Sequence, residues 1–369
     1  MGIYIFLASL LFIFALWENR VELRPKIYMF IMTYFILVMF DGLRWENGTD
    51  WGNYYNMFNL VNVEENSRFE IGYLFVNRIV YYLTGSYTVF LVLHAILLYG
   101  CLFFVFKRHS YSPLLSIFVF YVLFLPYQGM NRQLIAMAIC LLAYHFLVEG
   151  EKKKFVLIVL GACLFHISAV IFFISLLFVK RYNFRVYVCV LIIVIVLGGV
   201  GVAQFVVNKG LGLLSGHVAY LLEFYSEGDN ESARGIGLIF AYFRRVIWVI
   251  PIFIQMMRNG NETMSRSIVC CFNMYLFGCL LYILFNGTIL QIFVSRAMLY
   301  FSIFECLLIP YVVSLYKNNT FKFALYYVIF LYGIANMYKG ISSYDIGGNN
   351  PFIPYKSIYY NTSVIKETG

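Results

Sequence analysis

Residues 112–148 read SPLLSIFVFYVLFLPYQGMNRQLIAMAICLLAYHFLV. Two apolar runs, 112–127 and 133–148, flank the polar stretch Gln128-Gly129-Met130-Asn131-Arg132-Gln133, and Arg132 carries the only formal charge in the whole segment. A helix needs roughly 20 residues to cross the hydrocarbon core. Backbone amides in lipid must bond within their own segment, so such runs are helices rather than open strands. The segment therefore reads as two membrane-spanning helices joined at one face by a short polar hinge.

The rest of the chain repeats this pattern. Of 369 residues, 62% are hydrophobic and 12% charged, with a mean hydropathy of +0.79. An ordinary soluble domain is about 25% charged. That deficit excludes a soluble enzyme, a disordered chain and a nucleic-acid binder. Further apolar runs lie at 3–17, 27–40, 87–106, 186–207, 236–257, 267–286, 297–315 and 323–337. The expected fold is all-α and polytopic, with about ten spans at roughly 20 residues each. No Gly/Ser- or Pro-rich linker divides the chain, so residues 1–369 are expected to form one domain. Met1 to Trp17 lacks a basic leader and a small-residue cleavage site, and is expected to be an uncleaved first span. All eight cysteines fall inside apolar runs without a C-x-x-C, which argues against a disulfide framework or a zinc site.

Positive charge orients the bundle. Basic clusters at 18–26, 107–110, 149–154 and 180–185 belong on the cytoplasmic side. Segment 71–84 then cannot cross and is expected to be interfacial or re-entrant. Segment 155–179 has basic residues at both ends. Two readings stand: a hairpin with its apex near Phe165-His166-Ile167-Ser168, which the charges favour, or one ordinary span. Loops 41–72 and 208–235 fall on the outer face, are acidic on balance, and are too long to be mere connectors.

Ionisable groups at membrane depth are expensive and mark function. Arg244 and Arg245 interrupt the run 236–257, Arg132 sits in the outer hinge, Arg296 opens 297–315 and Arg44 lies in the first outer loop. A guanidinium pairs bidentately with phosphate, so these five side chains are candidates to bind a diphosphate at an outer vestibule. The loop around Trp51 and Tyr54 combines aromatic faces with Asp and Asn, which suits a sugar; Asn131 and Gln133 in the hinge could add polar contacts. His166, Asp50 and Glu70 are candidate acids or bases, while His94 and His145 read as structural. Nucleotide-binding loops and acidic metal clusters are missing from the sequence, so no cofactor or metal is expected.

Several of these blocks together resemble a known family. Arg44…Gly48-Thr49-Asp50-Trp51…Tyr54, Glu70-Ile71-Gly72-Tyr73, Asn131-Arg132-Gln133, Phe165-His166-Ile167-Ser168, Arg296…Tyr300 and Pro354-Tyr355-Lys356 follow one another as in the EpsG family, related to the Wzy O-antigen polymerases. The resemblance implies a bacterial inner-membrane glycosyltransferase that polymerises undecaprenyl-diphosphate-linked oligosaccharide repeat units at the periplasmic face, for O-antigen, capsule or exopolysaccharide. Its substrate partner would be the lipid-linked glycan in the membrane lipid, with a chain-length regulator as a further protein partner and no nucleic acid. The arginines would stabilise the leaving diphosphate, and Asp50, Glu70 or His166 would deprotonate the acceptor. The competing readings are a flippase or transporter of the same glycan, or an O-antigen ligase.

Overall fold

The computed structural model of the chain describes residues 1–360 except 19, 61–68, 204, 206–235, 287, 289, 290 and 346. Among the described residues there are helices and isolated bridges but no strand. Six helices are long and apolar enough to cross a membrane: Leu23–Gly42, Tyr87–His109, Asn131–Val148, Arg266–Phe285, Val294–Ser314 and Asn319–Ser342. Shorter apolar helices join them, including Gly2–Trp17 and Phe184–Gly199. The chain is thus an all-α, multi-pass membrane protein. The outer loop 208–235 and residues 61–68 of loop 41–72 lie outside the described residues.

Packing divides the chain into two compact units, Met1–Val170 with Ile309–Gly369, and Ile171–Leu308. The first contains α1 (Gly2–Trp17), α2 (Leu23–Gly42), α3 (Trp51–Asn59), α4 (Ile71–Thr84), α5 (Tyr87–His109), α6 (Pro113–Phe124), α7 (Asn131–Val148) and α8 (Lys152–Cys163). Helix α6 starts with Pro113 in its first turn after Ser112, and every residue from Leu114 to Phe124 is buried. It therefore shows no polar face in the sequence. Helix–helix packing in lipid rests on close van der Waals contact rather than on a hydrophobic stripe. Helix α5 packs on α2 and α7, and α7 on α8.

Helix α4 has 14 residues, stops at the left-handed Gly85 and gives way to α5 after the Ser86 N-cap. It buries Tyr73, Asn77 and Val80 and exposes Ile71, Phe75, Ile79, Tyr82 and Leu83. Its length falls short of a crossing, as the charge pattern requires.

The run 155–179 is not one continuous helix. Helix α8 ends at Cys163 and a 3₁₀ stretch begins at Ile167. In an unbroken helix the Leu164 carbonyl would accept from an amide one turn later. Here it accepts from Gly72 N at 2.9 Å and Tyr73 N at 3.3 Å, the first amides of α4. The tertiary contact takes over the acceptor, and the helix stops.

The second unit contains α9 (Phe184–Gly199), α10 (Ile236–Val246), α11 (Val249–Asn259), α12 (Arg266–Phe285) and α13 (Gln291–Ser302). The expected single span 236–257 is corrected: it breaks after Arg244-Arg245, and the buried Trp248 starts a new helix. The ten-residue α14 (Glu305–Ser314) and the 24-residue α15 (Asn319–Ser342) bring the chain back to the first unit.

Candidate active site

Glu70 stands at the N-cap of α4. Its Oε1 accepts from His166 Nδ1 at 2.8 Å and from the Ile167 amide at 3.2 Å, and its Oε2 accepts from Arg132 at 2.7 Å. Each partner comes from a different element. Arg132 lies in the first turn of α7, and His166 in the break after α8. Gly72 makes this convergence possible: a Cβ there would sit 2.8 Å from both the Cβ and the carbonyl oxygen of Leu164. The guanidinium carbon of Arg132 lies 4.5 Å from the centre of the Phe69 ring, and its Nε donates to the Tyr54 hydroxyl at 3.3 Å. Aromatic faces and a carboxylate thus fix the cation from two sides.

Burial pushes the Glu70 carboxyl up, but the His166 hydrogen bond and the Arg132 charge outweigh it and bring the pKa down to about 2. Glu70 is therefore ionised at neutral pH and can only accept. It follows that His166 Nδ1 carries the proton that it shares with Glu70. In the neutral ring Nε2 is then the nitrogen with the lone pair. A carboxylate that holds one imidazole nitrogen sets the tautomer and stabilises the charge formed when the other takes a proton.

Beneath this trio lies a buried polar layer. Arg44, 1% exposed, pairs with Asp41 and donates to Asn131 Oδ1 at 2.6 Å. Gln128 donates to Asp41 at 2.7 Å, and His94 Nε2 meets the Asn131 carbonyl at 2.9 Å. A buried ion pair is tolerable only when its remaining valences are met. Here Gln128 and Asn131, the latter one residue before Arg132, supply part of those bonds, while the buried Arg44 Nε keeps no hydrogen-bond partner among the described residues. The chain turns into the start of α7 through Gly48 and Gly129, with φ of 104° and 110°. A Cβ on Gly48 would lie 2.5 Å from the Gln128 carbonyl, and one on Gly129 2.6 Å from the Thr49 amide.

The C-terminal segment closes over the first loop. Trp45 N donates to the Lys356 carbonyl at 3.1 Å and Ile358 N to the Leu43 carbonyl at 3.0 Å. Tyr355 stacks on Phe40 at 4.7 Å. The blocks singled out in the sequence at 44–54, 70–73, 131–133, 165–168 and 354–356 therefore meet in one unit.

The EpsG family model matches residues 26–357. The chain belongs to the EpsG family. Members of that family are Wzy-type polymerase-like glycosyltransferases, which points to a polysaccharide polymerase in membrane-associated glycan synthesis. No curated protein and no solved structure matches the chain.

Within this EpsG-family protein the expected site residues sort into three groups. Glu70, His166, Arg132 and Tyr54 touch one another. Arg44, Asn131 and Gln133 are buried and present almost no surface to a ligand. Arg44 and Asn131, expected to contact diphosphate and sugar, are enclosed by the protein and hydrogen-bonded to each other. Trp51 is also buried, its ring stacked on Tyr55 at 4.9 Å with Trp45 at its edge. Trp45 and Tyr55 are the half-buried rings of that cluster. Asp50 precedes α3 and is half-buried, and its charge acts on Tyr54.

Arg244, Arg245 and Arg296 belong to the second unit. Arg245 lies over the Tyr282 ring at 3.3 Å and donates to the Ala241 carbonyl at 2.9 Å; Arg296 is exposed. Sequence reasoning did not select Asp41, Phe69 or Gln128. Asp41 ends an apolar run three residues before Arg44, a spacing that places two side chains on one helix face and was readable as a pair. His94 and His145 have structural partners, His145 pairing with His109 at 3.0 Å.

Proposed function

We propose that the protein joins undecaprenyl-diphosphate-linked repeat units by glycosyl transfer at the periplasmic face, with His166 as the general base. The observation that carries this reading is the Glu70 carboxylate held between His166 Nδ1 and Arg132. His166 Nε2 removes the proton from a hydroxyl on the non-reducing sugar of the acceptor. The acceptor oxygen attacks the anomeric carbon of the donor glycan. The bond from that carbon to the diphosphate oxygen breaks, and its electron pair leaves with undecaprenyl diphosphate. Bond energy resides in the anomeric diphosphate, so no nucleotide enters the step.

Glu70 orients the imidazole and offsets the charge it gains. Arg132 holds Glu70 and supplies positive charge beside the reacting centre, where negative charge develops on the leaving group. Trp45 and Tyr55 supply aromatic surface for sugar, with the buried Tyr54 behind them. Asp50, the other candidate carboxylate of the outer loop, contacts sugar hydroxyls.

The test is the polysaccharide of a deletion strain, run as a length ladder beside its lipid-linked pool. Polymerase loss leaves single repeats and an outward-facing pool of one-repeat lipid. A pool trapped in the cytoplasmic leaflet, with no repeat exported, would instead identify a flippase.

A further inference from the structure

The first unit has a concavity at the end away from Glu70. Helix α1 runs from Tyr4, whose hydroxyl donates to the Phe352 carbonyl beside the first loop, to Leu16. Helix α15 runs from Asn319 to Ile341, whose carbonyl accepts from Asn350. At a rise of about 1.5 Å per residue, the stretch of α1 from Tyr4 to Leu16 alone separates the two ends by roughly 18 Å. At the far end Leu16, Arg20, Tyr111, Asn319 and Lys322 line a cavity of about 510 Å³, with Val313 and Phe323 on its apolar wall.

The charge in this cavity is one-sided. Among the described residues no carboxylate pairs with Arg20 or Lys322. The nearby Glu18 is buried and already held by Ser112, the Leu114 amide at 3.2 Å and Lys26 at 3.8 Å. Lys322 sits near the N-terminus of α15, and that first turn contains no acidic residue. A cation there opposes the helix dipole and does not help the helix. The Thr320 and Phe321 amides of α15 already donate to the Asn318 side chain, so an anion in this cavity is held by the Lys322 and Arg20 charges themselves.

We infer that this cavity binds a phosphate group, that of an anionic phospholipid headgroup. Its place at a bundle end puts it at headgroup depth, and the wall of Leu16, Val313 and Phe323 suits the adjoining glycerol and acyl carbons. Basic pockets between membrane helices on the positively charged side bind such headgroups. The site is independent of the Glu70 chemistry and stands whether or not the protein is a polymerase.

The test uses the full chain in neutral detergent, with retained lipid read by native mass spectrometry. Phosphatidylglycerol and phosphatidylcholine are offered separately, and inorganic phosphate is added as competitor. The wild-type protein should retain phosphatidylglycerol over phosphatidylcholine, and Arg20→Gln with Lys322→Gln should weaken that retention about tenfold or more, since charge-assisted hydrogen bonds are lost. Arg20→Lys with Lys322→Arg, which keeps both charges, should restore it. Stripping of the bound lipid by millimolar inorganic phosphate would move the site to a soluble phosphate compound and overturn the lipid assignment. Equal phosphatidylglycerol retention by the wild type and the Gln variant would overturn the site altogether. If the double variant fails to accumulate, Lys322→Gln alone, on a half-buried helical position, decides by the same comparison.

Discussion

Glu70 is the residue on which the site turns, and its ionisation gives a direct prediction. Its folded pKa of about 2 lies below its ordinary 4.5. Its charge therefore stabilises the fold fully above about 4.5, and that contribution fades as pH falls toward 2. Thermal unfolding of the wild type and Glu70→Gln should show a midpoint gap that is constant from neutral pH to about 5 and narrows below it. A gap that fails to narrow as pH falls from about 4.5 toward 2 would mean that Glu70 is not held ionised. Asp41 gives a contrasting case. Asp41→Asn leaves the Arg44 guanidinium buried without its counter-charge, which costs about 3–5 kcal/mol. That variant should accumulate poorly, whereas Glu70→Gln should accumulate well. Residue chemistry was partly legible: a carboxylate before Gly72 and a histidine inside an apolar run stood out. Arg44 misled because a guanidinium in an outer loop reads as a phosphate ligand, and only the fold puts Asp41 and Asn131 around it.

Elements meet at the site through their ends, and the ends were the hardest part to read. The apolar run at 155–179 contains no turn signal at its break, with no proline and no glycine at 164–166, whereas the run 236–257 has Pro251 in the first turn of α11, which cannot donate back to the carbonyl of Ile247 and so marks the break at 247–248. The first break is set by a partner distant in sequence, the amides of Gly72 and Tyr73 on the Leu164 carbonyl. By contrast the Gly85-Ser86 junction and the Ser112-Pro113 start of α6 carry their own local signals, and their positions follow from the sequence. Gly72 gives the prediction at this scale. A methyl group there has to displace Leu164, and overpacking of this kind costs about 1–3 kcal/mol. Gly72→Ala should lower the thermal midpoint and also separate Glu70 from His166, so polymer synthesis should fall more steeply than protein level. Immunoblot signal and polysaccharide yield, measured together, check this. Equal loss of both would reduce Gly72 to a stability role.

At the level of the whole molecule, composition and charge were enough for an all-α, multi-pass membrane protein, because lipid leaves few alternatives for an apolar backbone. The division into two compact units has no counterpart in the sequence, where no linker marks residue 170 or 308. The proposed periplasmic placement of the Glu70 end rests on the positive-inside rule. Alkaline phosphatase fused after Asn59, at the end of α3, should be active, and fused after Lys154 inactive; the opposite pair would put the Glu70 site on the cytoplasmic side. The central claim is that His166, held by Glu70, is the base for joining repeats. It is tested most directly by the lipid-linked pool and polysaccharide ladder of a strain carrying His166→Ala at wild-type protein level, beside His166→Gln. A lost base costs about 10²–10⁴-fold in rate, so both variants should lose the ladder and accumulate one-repeat lipid. A wild-type ladder from the Ala variant would contradict the account.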